Sequence, residues 1–279
     1  MTVAAETLPA RARPGVPARA WAAARRHTLT LFAFLAFVYL LLPIAVVILF
    51  SFNDPAGRRN LTWQGFTLDN WEHPFAYPGL RGSVGLSIEI AALSSLAATV
   101  LGTAIALALA RYRFHGRGIT GLIVFLPMAT PEIVMGSSLL TLFLNYNFPL
   151  GFTTILIAHV MFNISYVVVT VRARLAGFDR HLEEAAMDLF AGPWTTFARV
   201  TLPLIAPGIL AAALLAFALS VDDFVITYLV SGSETTFPLF VWGAARIAVP
   251  PQINVIGSAI FLVALALMLA NVLLQLRRR

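Results

Sequence analysis

Long apolar runs separated by shorter polar segments recur six times along the chain. Each is close to the roughly 20 residues that an α-helix needs to cross the hydrocarbon core of a membrane. No small-residue cleavage pattern follows the first run, which predicts an uncleaved span rather than a signal peptide. We therefore expect an all-α membrane protein with six transmembrane helices, at 29–50, 82–110, 119–144, 152–171, 202–230 and 253–276.

Two polar segments and one pair of prolines interrupt this pattern. Pro127 and Pro131 lie inside the span 119–144, which predicts a bent or broken helix. The segment 51–81 contains tryptophan and phenylalanine residues typical of a membrane interface, so we expect it to lie outside. The segment 231–252 is predicted to be a polar loop or a re-entrant region.

The ends of the chain are polar and basic. Residues 1–28 are rich in proline and arginine without apolar periodicity, which predicts a cytoplasmic tail disordered as far as about Trp21. Residues 277–279 are predicted to form a second cytoplasmic tail. The transmembrane domain is expected to occupy 29–276 and to include a long polar loop at 172–203.

The arginines give the predicted helices an orientation. Fifteen of them fall on the side that carries both termini, whereas Arg58, Arg59, Arg81 and Arg246 fall on the other. Cytoplasmic loops are enriched in basic residues, so we expect both termini to be cytoplasmic. This orientation also accounts for the net charge of +6 without nucleic acid as a partner.

Composition supports a membrane protein and excludes several enzyme classes. The chain is 59% hydrophobic and 11% charged, with a mean hydropathy of +0.84, values outside the range of water-soluble domains. It has no cysteine, which excludes disulfides, thiolate metal sites and cysteine nucleophiles. All 19 of its basic residues are arginine, and without lysine the chain has no Walker A loop and is not itself an ATPase. We expect no cofactor or metal in this chain.

The segment 179–203 has the pattern of two short helices. Its apolar positions recur at helical spacing, and the acids are expected to face the opposite way. Gly192 is expected to end the first helix and Pro193 to begin the second. The predicted apolar face is formed by Leu182, Ala185, Ala186, Leu189 and Phe190, and the acidic face by Glu183, Glu184 and Asp188.

Two interpretations of this segment are open. An amphipathic helix can rest on the bilayer surface, but such helices usually carry basic residues on the polar face. The acidic face favours a docking helix that meets a basic protein partner.

The order of residues in this segment resembles a known motif. Glu184, Ala185 and Ala186 are followed at the expected spacing by Val200, Leu202 and Pro203, which is similar to the EAA loop of binding-protein-dependent ABC importer permeases. The motif's glycine position holds Phe190 here, Gly192 lies two residues later, and Val200 replaces isoleucine. Further similarity lies at 51–54, 111–118, 131–136, 167–179 and 220–232, and it points to the C-type permeases of spermidine/putrescine importers.

This resemblance implies a type I ABC importer-like permease in the bacterial inner membrane, transporting polyamines or related cationic amines. It implies a second permease subunit, in a heterodimer, two cytoplasmic ATPase subunits that bind ATP and Mg, and a periplasmic solute-binding protein. It also implies an ATPase-coupling role for the loop residues Glu183, Glu184, Ala185, Ala186, Asp188, Phe190 and Gly192.

Several polar residues lie inside the predicted spans. A charge at mid-membrane costs about 2.5–3.5 kcal/mol on an insertion scale, so such groups face protein or water. Glu89 is expected to tie helices together, and His159 to bond a neighbouring helix rather than a metal. Four residues are candidates for a path that carries a cationic solute: Glu132, Asp222, Asp223 and Tyr228.

Two rival functions are weighed against an ABC permease. An ion-coupled secondary transporter also uses intramembrane acids and broken helices, but it does not explain the acidic loop, and the two halves of the chain show no internal repeat. A membrane-embedded enzyme is disfavoured because no nucleophile or paired-histidine arrangement is present in the sequence.

Overall fold

The computed structural model describes residues 16–57, 59–247 and 249–277. Within these ranges the chain is helical and contains no strand, apart from one isolated bridge between Asn53 and Phe66. The described residues form two compact units, one within 1–74 and 251–279 and the other within 75–250. In chain order the helices are α1 (Val16–Phe50), α2 (Asp69–Glu72), α3 (Leu80–Arg111), α4 (Arg117–Ala129), α5 (Glu132–Asn145), α6 (Phe152–Ala176), α7 (His181–Asp188), α8 (Pro193–Thr196), α9 (Leu202–Asp222), α10 (Val225–Val230), α11 (Phe237–Ile247) and α12 (Pro251–Arg277), with a π-helical turn at Phe197–Thr201 between α8 and α9.

In the first unit, α1 and α12 pack together and the segment after α1 folds over itself. Asn53 is fully buried, and its amide donates to Asn60 Oδ1 at 2.6 Å. Phe52 stacks between the rings of Phe66 and Trp71, with centroid distances of 5.6 and 5.5 Å. The predicted outer segment is therefore an ordered loop.

The first helix begins earlier than predicted. It starts at Val16 rather than at residue 29, although its apolar part, His27–Phe50, matches the predicted first span. Residues 16–28 are thus helical, and the predicted disorder does not hold for them. The rest of the predicted N-terminal tail lies outside the described residues, as do the last two residues of the C-terminal tail.

The core of the second unit is formed by α3, α6 and α9. The helices approach closely because the contact positions carry small residues, as is common in membranes. A Cβ at Gly102 of α3 would lie 2.7 Å from a methyl of Val167 on α6. Ala98, Ala106 and Ala212 are fully buried in the same cluster.

The predicted break in the third span is confirmed. Helices α4 and α5 meet at Thr130 and Pro131 with an angle of 108°. Pro131 has no N–H to continue the hydrogen-bond ladder, and the residue before a proline disfavours helical backbone. Thr130 is accordingly extended, with φ −85° and ψ 132°.

The predicted fifth span has different boundaries. One helix of 30 residues runs from Pro193 through the π-helical turn to Asp222, so the second loop helix and the span are continuous. This helix ends at Asp222, the backbone is extended at Asp223, and α10 follows as a separate short helix. The predicted polar segment 231–252 contains the apolar helix α11.

Several of these helices can cross a membrane. Among the described residues, four are long and apolar enough, at His27–Phe50, Leu80–Arg111, Phe152–Ala176 and Pro193–Asp222, and the bent pair α4–α5 adds a fifth if it forms one span. The stretch Pro251–Ala266 of α12 is a shorter apolar helix. The chain is a multi-pass membrane protein.

Candidate solute cavity and docking helix

A cavity of about 270 Å³ lies in the second unit where two helix breaks face each other. One break separates α4 from α5 and the other separates α9 from α10. Three of the four predicted path residues line this cavity: Glu132, Asp222 and Asp223. Broken helices that face a cavity are typical of transport sites, because the loosened backbone groups need water or solute as partners.

Two of the three carboxylates are open to the cavity. Glu132 and Asp222 are both exposed, and Glu132 lies in the first turn of α5, where the helix dipole favours a negative charge. Asp223 differs, since its side chain is only 5% exposed.

Asp223 is held in place by hydrogen bonds. Its Oδ2 accepts from the Thr227 amide at 2.8 Å and from the Thr227 hydroxyl at 2.7 Å. His159 Nε2 lies 3.3 Å from the same oxygen. The two adjacent acids therefore differ: Asp222 is exposed beside the cavity, and Asp223 is bonded to its neighbours.

His159 connects α6 to both sides of the break at Asp223. Its Nδ1 lies 2.6 Å from Ser220 Oγ on α9, and its Nε2 lies 2.9 Å from Thr227 Oγ1 on α10. Ser220 in turn lies 3.0 Å from Ser94 on α3. The expectation that His159 bonds a neighbouring helix is confirmed, and the network fixes the geometry of the break.

Gly136 allows α5 and α10 to meet beside the cavity. A Cβ at this position would lie 2.7 Å from a Leu229 methyl and 3.3 Å from the Ile226 Cα. A side chain here displaces the Leu229 methyl and presses on the Ile226 backbone, which would have to shift by a few tenths of an ångström.

The electrostatics of the cavity favour a cation. Helices α4 and α9 end at it while α5 and α10 begin at it, so the helix dipoles oppose one another and the carboxylates supply the net negative charge. Pro131 cannot donate to the carbonyl of Pro127, which lines the cavity. The two exposed carboxylates and this carbonyl offer an ammonium group negative charge and hydrogen-bond acceptors. The rings of Phe162 and Tyr166 also line the cavity.

Tyr228 lies apart from these carboxylates. It lines a second cavity of about 470 Å³, together with Tyr77, Glu234 and Trp242. The Tyr228 ring stacks on Phe224 at 5.7 Å, and the Arg246 guanidinium lies 4.7 Å from the Trp242 ring centroid. Aromatic faces with a carboxylate also suit a cation.

The docking helix α7 ends in a tight turn. Phe190 N donates to Met187 O at 2.9 Å and Ala191 N donates to Ala186 O at 3.1 Å, the hydrogen-bond pair of a Schellman turn. Phe190 occupies the left-handed position with φ +63°, where glycine is usual. The helix therefore ends at Asp188, and the expectation that Gly192 ends it is wrong. Pro193 begins the next helix as predicted.

The side chains of α7 point differently from the prediction. Leu189 and Phe190 are 82% and 99% exposed, so they do not form a buried apolar face. Glu183 turns inward and bonds Arg111 and Thr201. Glu184, Ala185 and Asp188 are exposed, whereas Ala186 is half-buried. The protein-facing side consists of Glu183 and Ala186, one helical turn apart.

His181 and Glu184 form an exposed pair, with His181 Nδ1 3.1 Å from Glu184 Oε2. This hydrogen bond raises the pKa of His181 above its ordinary value, and the charges of Asp179 and Glu184 add to the effect. Asp179 also accepts from the His181 amide at 3.0 Å, near the start of the helix.

One exposed group in the described residues has metal-ligand geometry. Asp69, Glu72 and His73 offer ligand atoms within 4.8 Å of one another around α2. His73 Nδ1 already lies 3.1 Å from Asp69 Oδ1. Nothing else at this place points to an ion, so the absence of a metal site stays a prediction.

Several residues of these sites were not identified from the sequence. Arg111 and Thr201 are far from Glu183 in the chain, and no spacing rule connects them. Ser220 and Thr227 flank the break at Asp223. Two hydroxyl residues close to an acid inside an apolar run were the available signal for a hydrogen-bond network there.

Sequence and structure comparisons agree with these features. Residues 74–278 match the family described as "Binding-protein-dependent transport system inner membrane component". The chain is 37% identical to the spermidine/putrescine transport system permease protein PotC of Haemophilus influenzae, covering 87% of this chain and 94% of PotC. It is 38% identical to the putrescine transport system permease protein PotI of Escherichia coli K12, covering 81% and 83%.

A solved bacterial ABC transporter involved in import of the acidic polysaccharide alginate has a similar fold. Its TM-score is 0.61 at 19% identity, and the match covers 95% of this chain and 98% of that one. At this identity the likeness concerns the fold alone.

Proposed function

Because the chain belongs to the family of binding-protein-dependent transport system inner membrane components, we propose that it is a permease subunit of an ATP-driven importer for polyamines or related cationic amines in the bacterial inner membrane. The family is one of membrane permeases rather than ATPases. The cationic solute is supported by the names of the relatives and by the acidic cavity. The cavity that joins Glu132 and Asp222 at two helix breaks is the observation that carries the proposal.

The proposed topology has six spans, with both termini in the cytoplasm. The spans are the apolar part of α1, α3, the bent pair α4–α5, α6, the part of the continuous helix Pro193–Asp222 that follows Pro203, and α12. The distribution of arginines supports this orientation. In this arrangement 172–203 is a cytoplasmic loop and the cavity beside Tyr228 lies toward the outer side.

The solute path is proposed to connect the two cavities along α10. Tyr228 and Trp242 meet the cation first, and Glu132 and Asp222 receive it in the smaller cavity. Asp223 shapes this site through its bonds to Thr227 and His159, because its own carboxylate is nearly buried.

The proposed ATPase-docking surface is the outward side of α7 and the turn after it. Glu184 and Asp188 supply negative charge, while Leu189, Phe190 and Trp194 are 82%, 99% and 77% exposed. A cluster of apolar and aromatic residues this exposed marks an interaction site. The turn at Phe190 and the extended backbone of Gly192 expose these side chains. The small side chain of Ala185, which is also exposed, lets a partner approach the helix closely.

The remaining partners follow from the proposed family role. A second permease subunit completes the path, two ATPase subunits bind ATP and Mg, and an external solute-binding protein delivers the amine. Glu89 is exposed on α3, and the described residues give it no side-chain partner. A charge in mid-span needs a protein or water partner, so Glu89 marks the side of α3 that faces the second permease.

Co-purification tests the docking role. The native chain is extracted with its candidate ATPase and compared with Glu184→Lys, and Glu234→Gln serves as the control because Glu234 lies at the other cavity. We expect the native chain and the control to retain the ATPase and Glu184→Lys to lose it. A native chain that purifies without any ATPase contradicts the proposal and favours an ion-coupled carrier.

A further inference from the structure

One acid of the docking helix, Glu183, faces its own chain rather than a protein that would dock on α7. The Glu183 side chain is 14% exposed, whereas that of Glu184 is 61% exposed. A partner that docks on the outward side of α7 therefore reaches Glu184 but has little access to Glu183.

Glu183 bridges three segments of its own chain. Its Oε1 accepts from Arg111 Nη2 at the end of α3 and from the Thr201 hydroxyl at the end of the π-helical turn. Arg111 Nη2 lies 3.4 Å from Thr201 Oγ1, which closes the triangle. A charge-assisted, half-buried pair of this kind is stronger than an exposed one.

A second contact supports the same junction. Arg180, just before α7, donates from Nη2 to the carbonyl of Ala110 at 2.9 Å. Helix α7 is thus bonded to the end of α3 through Arg180, which precedes it, and through Glu183 in its first turn. Thr201, which is fully buried, bonds Glu183 to the base of α9.

The helices at this junction lead to the cavity. Helix α9 ends at Asp222, which lines the cavity, and α3 carries Ser94, which bonds Ser220 in the network around Asp223. The π-helical turn lies between the docking segment and α9, and such turns often mark functional sites in helices. Glu183 therefore joins α7 to α9 through Thr201, and together with Arg180 it joins α7 to α3.

We propose that Glu183 is a positioning residue that fastens the docking helix to α3 and α9, so that movement of the docked ATPase reaches the solute cavity. This inference rests on the proposed docking of α7 to an ATPase. Glu183 and Glu184 then have different roles. Glu183 transmits movement of the docked ATPase to α3 and α9, and Glu184 binds the ATPase.

The test compares Glu183→Gln with Glu184→Gln in the assembled complex in proteoliposomes. Three quantities are measured: the amount of ATPase that co-purifies, the rate of ATP hydrolysis, and solute taken up per ATP hydrolysed. Glu183→Gln is expected to keep the ATPase and its hydrolysis while uptake per ATP falls at least about tenfold, because a charge-assisted hydrogen bond is lost. Glu184→Gln is expected to lose ATPase binding instead.

A second pair of variants separates positioning from folding. Thr201→Ser keeps the hydroxyl that bonds Glu183, and Thr201→Val removes it at nearly the same volume. Uptake per ATP is expected to fall for Thr201→Val and to stay near the native value for Thr201→Ser. Exchange of the charges, with Glu183→Arg and Arg111→Glu together, is expected to restore part of the uptake lost in Glu183→Gln.

Two results overturn the inference while leaving the docking proposal intact. In one, Glu183→Gln transports as much solute per ATP as the native complex. In the other, Glu183→Gln loses the ATPase as Glu184→Gln does, which makes Glu183 a docking residue. If the native chain retains no ATPase at all, the proposed function itself fails.

Discussion

Neutralising one open carboxylate of the small cavity is expected to weaken amine binding strongly. Glu132→Gln and Asp222→Asn each remove a negative charge while keeping the size of the side chain. Both acids are exposed to the cavity of about 270 Å³ at the helix breaks. In the described part of the chain, neither carboxylate has a hydrogen-bond or ion-pair partner, so its charge is available to the solute.

The size of the cavity allows an estimate of how much binding free energy one carboxylate contributes. A sphere of 270 Å³ has a radius of about 4 Å, so an ammonium group inside lies close to the wall wherever it sits. At about 4 Å, unit charges interact by roughly 1 kcal/mol in water and roughly 4 kcal/mol at an effective dielectric constant of 20. Hydrogen bonds to charged groups contribute about 1.5–3 kcal/mol, which corresponds to a dissociation constant raised by about 10- to 100-fold.

Equilibrium binding of radiolabelled spermidine to the purified membrane complex measures this change. The external binding protein is left out, so that the dissociation constant reports the permease alone. The matched control is Asp54→Asn, because Asp54 is also an exposed acid but lies in the loop after α1 and does not line the cavity.

Binding of spermidine by both cavity variants as tightly as by the native complex would refute the assignment of this site. Weakening by Asp54→Asn as large as that by the cavity variants would also refute it, since proximity to the cavity would then not matter. Loss of binding in the cavity variants alone supports the site.

Three other changes follow from the same geometry. Gly136→Ala places a Cβ 2.7 Å from a Leu229 methyl and is expected to destabilise the protein by about 1–3 kcal/mol through overpacking, seen as a lower melting temperature in detergent. Phe190→Gly is expected to stabilise the turn by up to about 1 kcal/mol, because φ is +63° there, yet to weaken ATPase association about tenfold or more by removing an exposed aromatic anchor. Glu184→Gln removes the hydrogen bond that raises the pKa of His181, so an NMR titration should show a lower pKa. The contribution of protonated His181 to stability is fully present below the ordinary histidine pKa and is lost as the pH rises through the raised value.

Each of these changes has a control. A Cβ at Gly121 meets nothing within 4 Å, so an unchanged melting temperature is expected for Gly121→Ala, and equal losses at Gly121 and Gly136 contradict the packing argument. Phe190→Asn tolerates the left-handed turn without the ring and should lose the ATPase as Phe190→Gly does. Asp188→Asn should leave the His181 titration unchanged, and a shift as large as that of Glu184→Gln counts against the assigned pair.

The sequence predicted the elements whose signals are local. Apolar runs of spanning length located the long helices, and Pro131 located the break between α4 and α5, because a missing N–H acts within one helical turn. Pro193 was recognised as a helix start for the same reason. The adjacent acids at 222 and 223 were singled out because a charge inside an apolar run is costly unless it faces protein or water.

What could not be predicted depends on contacts between distant segments. Glu183 was placed on an acidic outer face because its neighbours are acids, but Arg111 is 72 residues away and draws it inward. Helix periodicity also assigned Phe190 to an apolar face. The Schellman turn at Phe190 instead exposes its ring, since the helix ends before that residue. The convergence of Glu132 with Asp222 required the packing of α5 on α10 through Gly136.

Uptake of labelled putrescine or spermidine into proteoliposomes that contain the purified complex tests the central claim most directly. The binding protein is supplied outside, and ATP is enclosed or omitted in the presence or absence of ion gradients. We predict accumulation only with enclosed ATP and the binding protein, and no dependence on a proton or sodium gradient. Accumulation without ATP that collapses with an ion gradient contradicts the assignment and identifies the chain as an ion-coupled carrier.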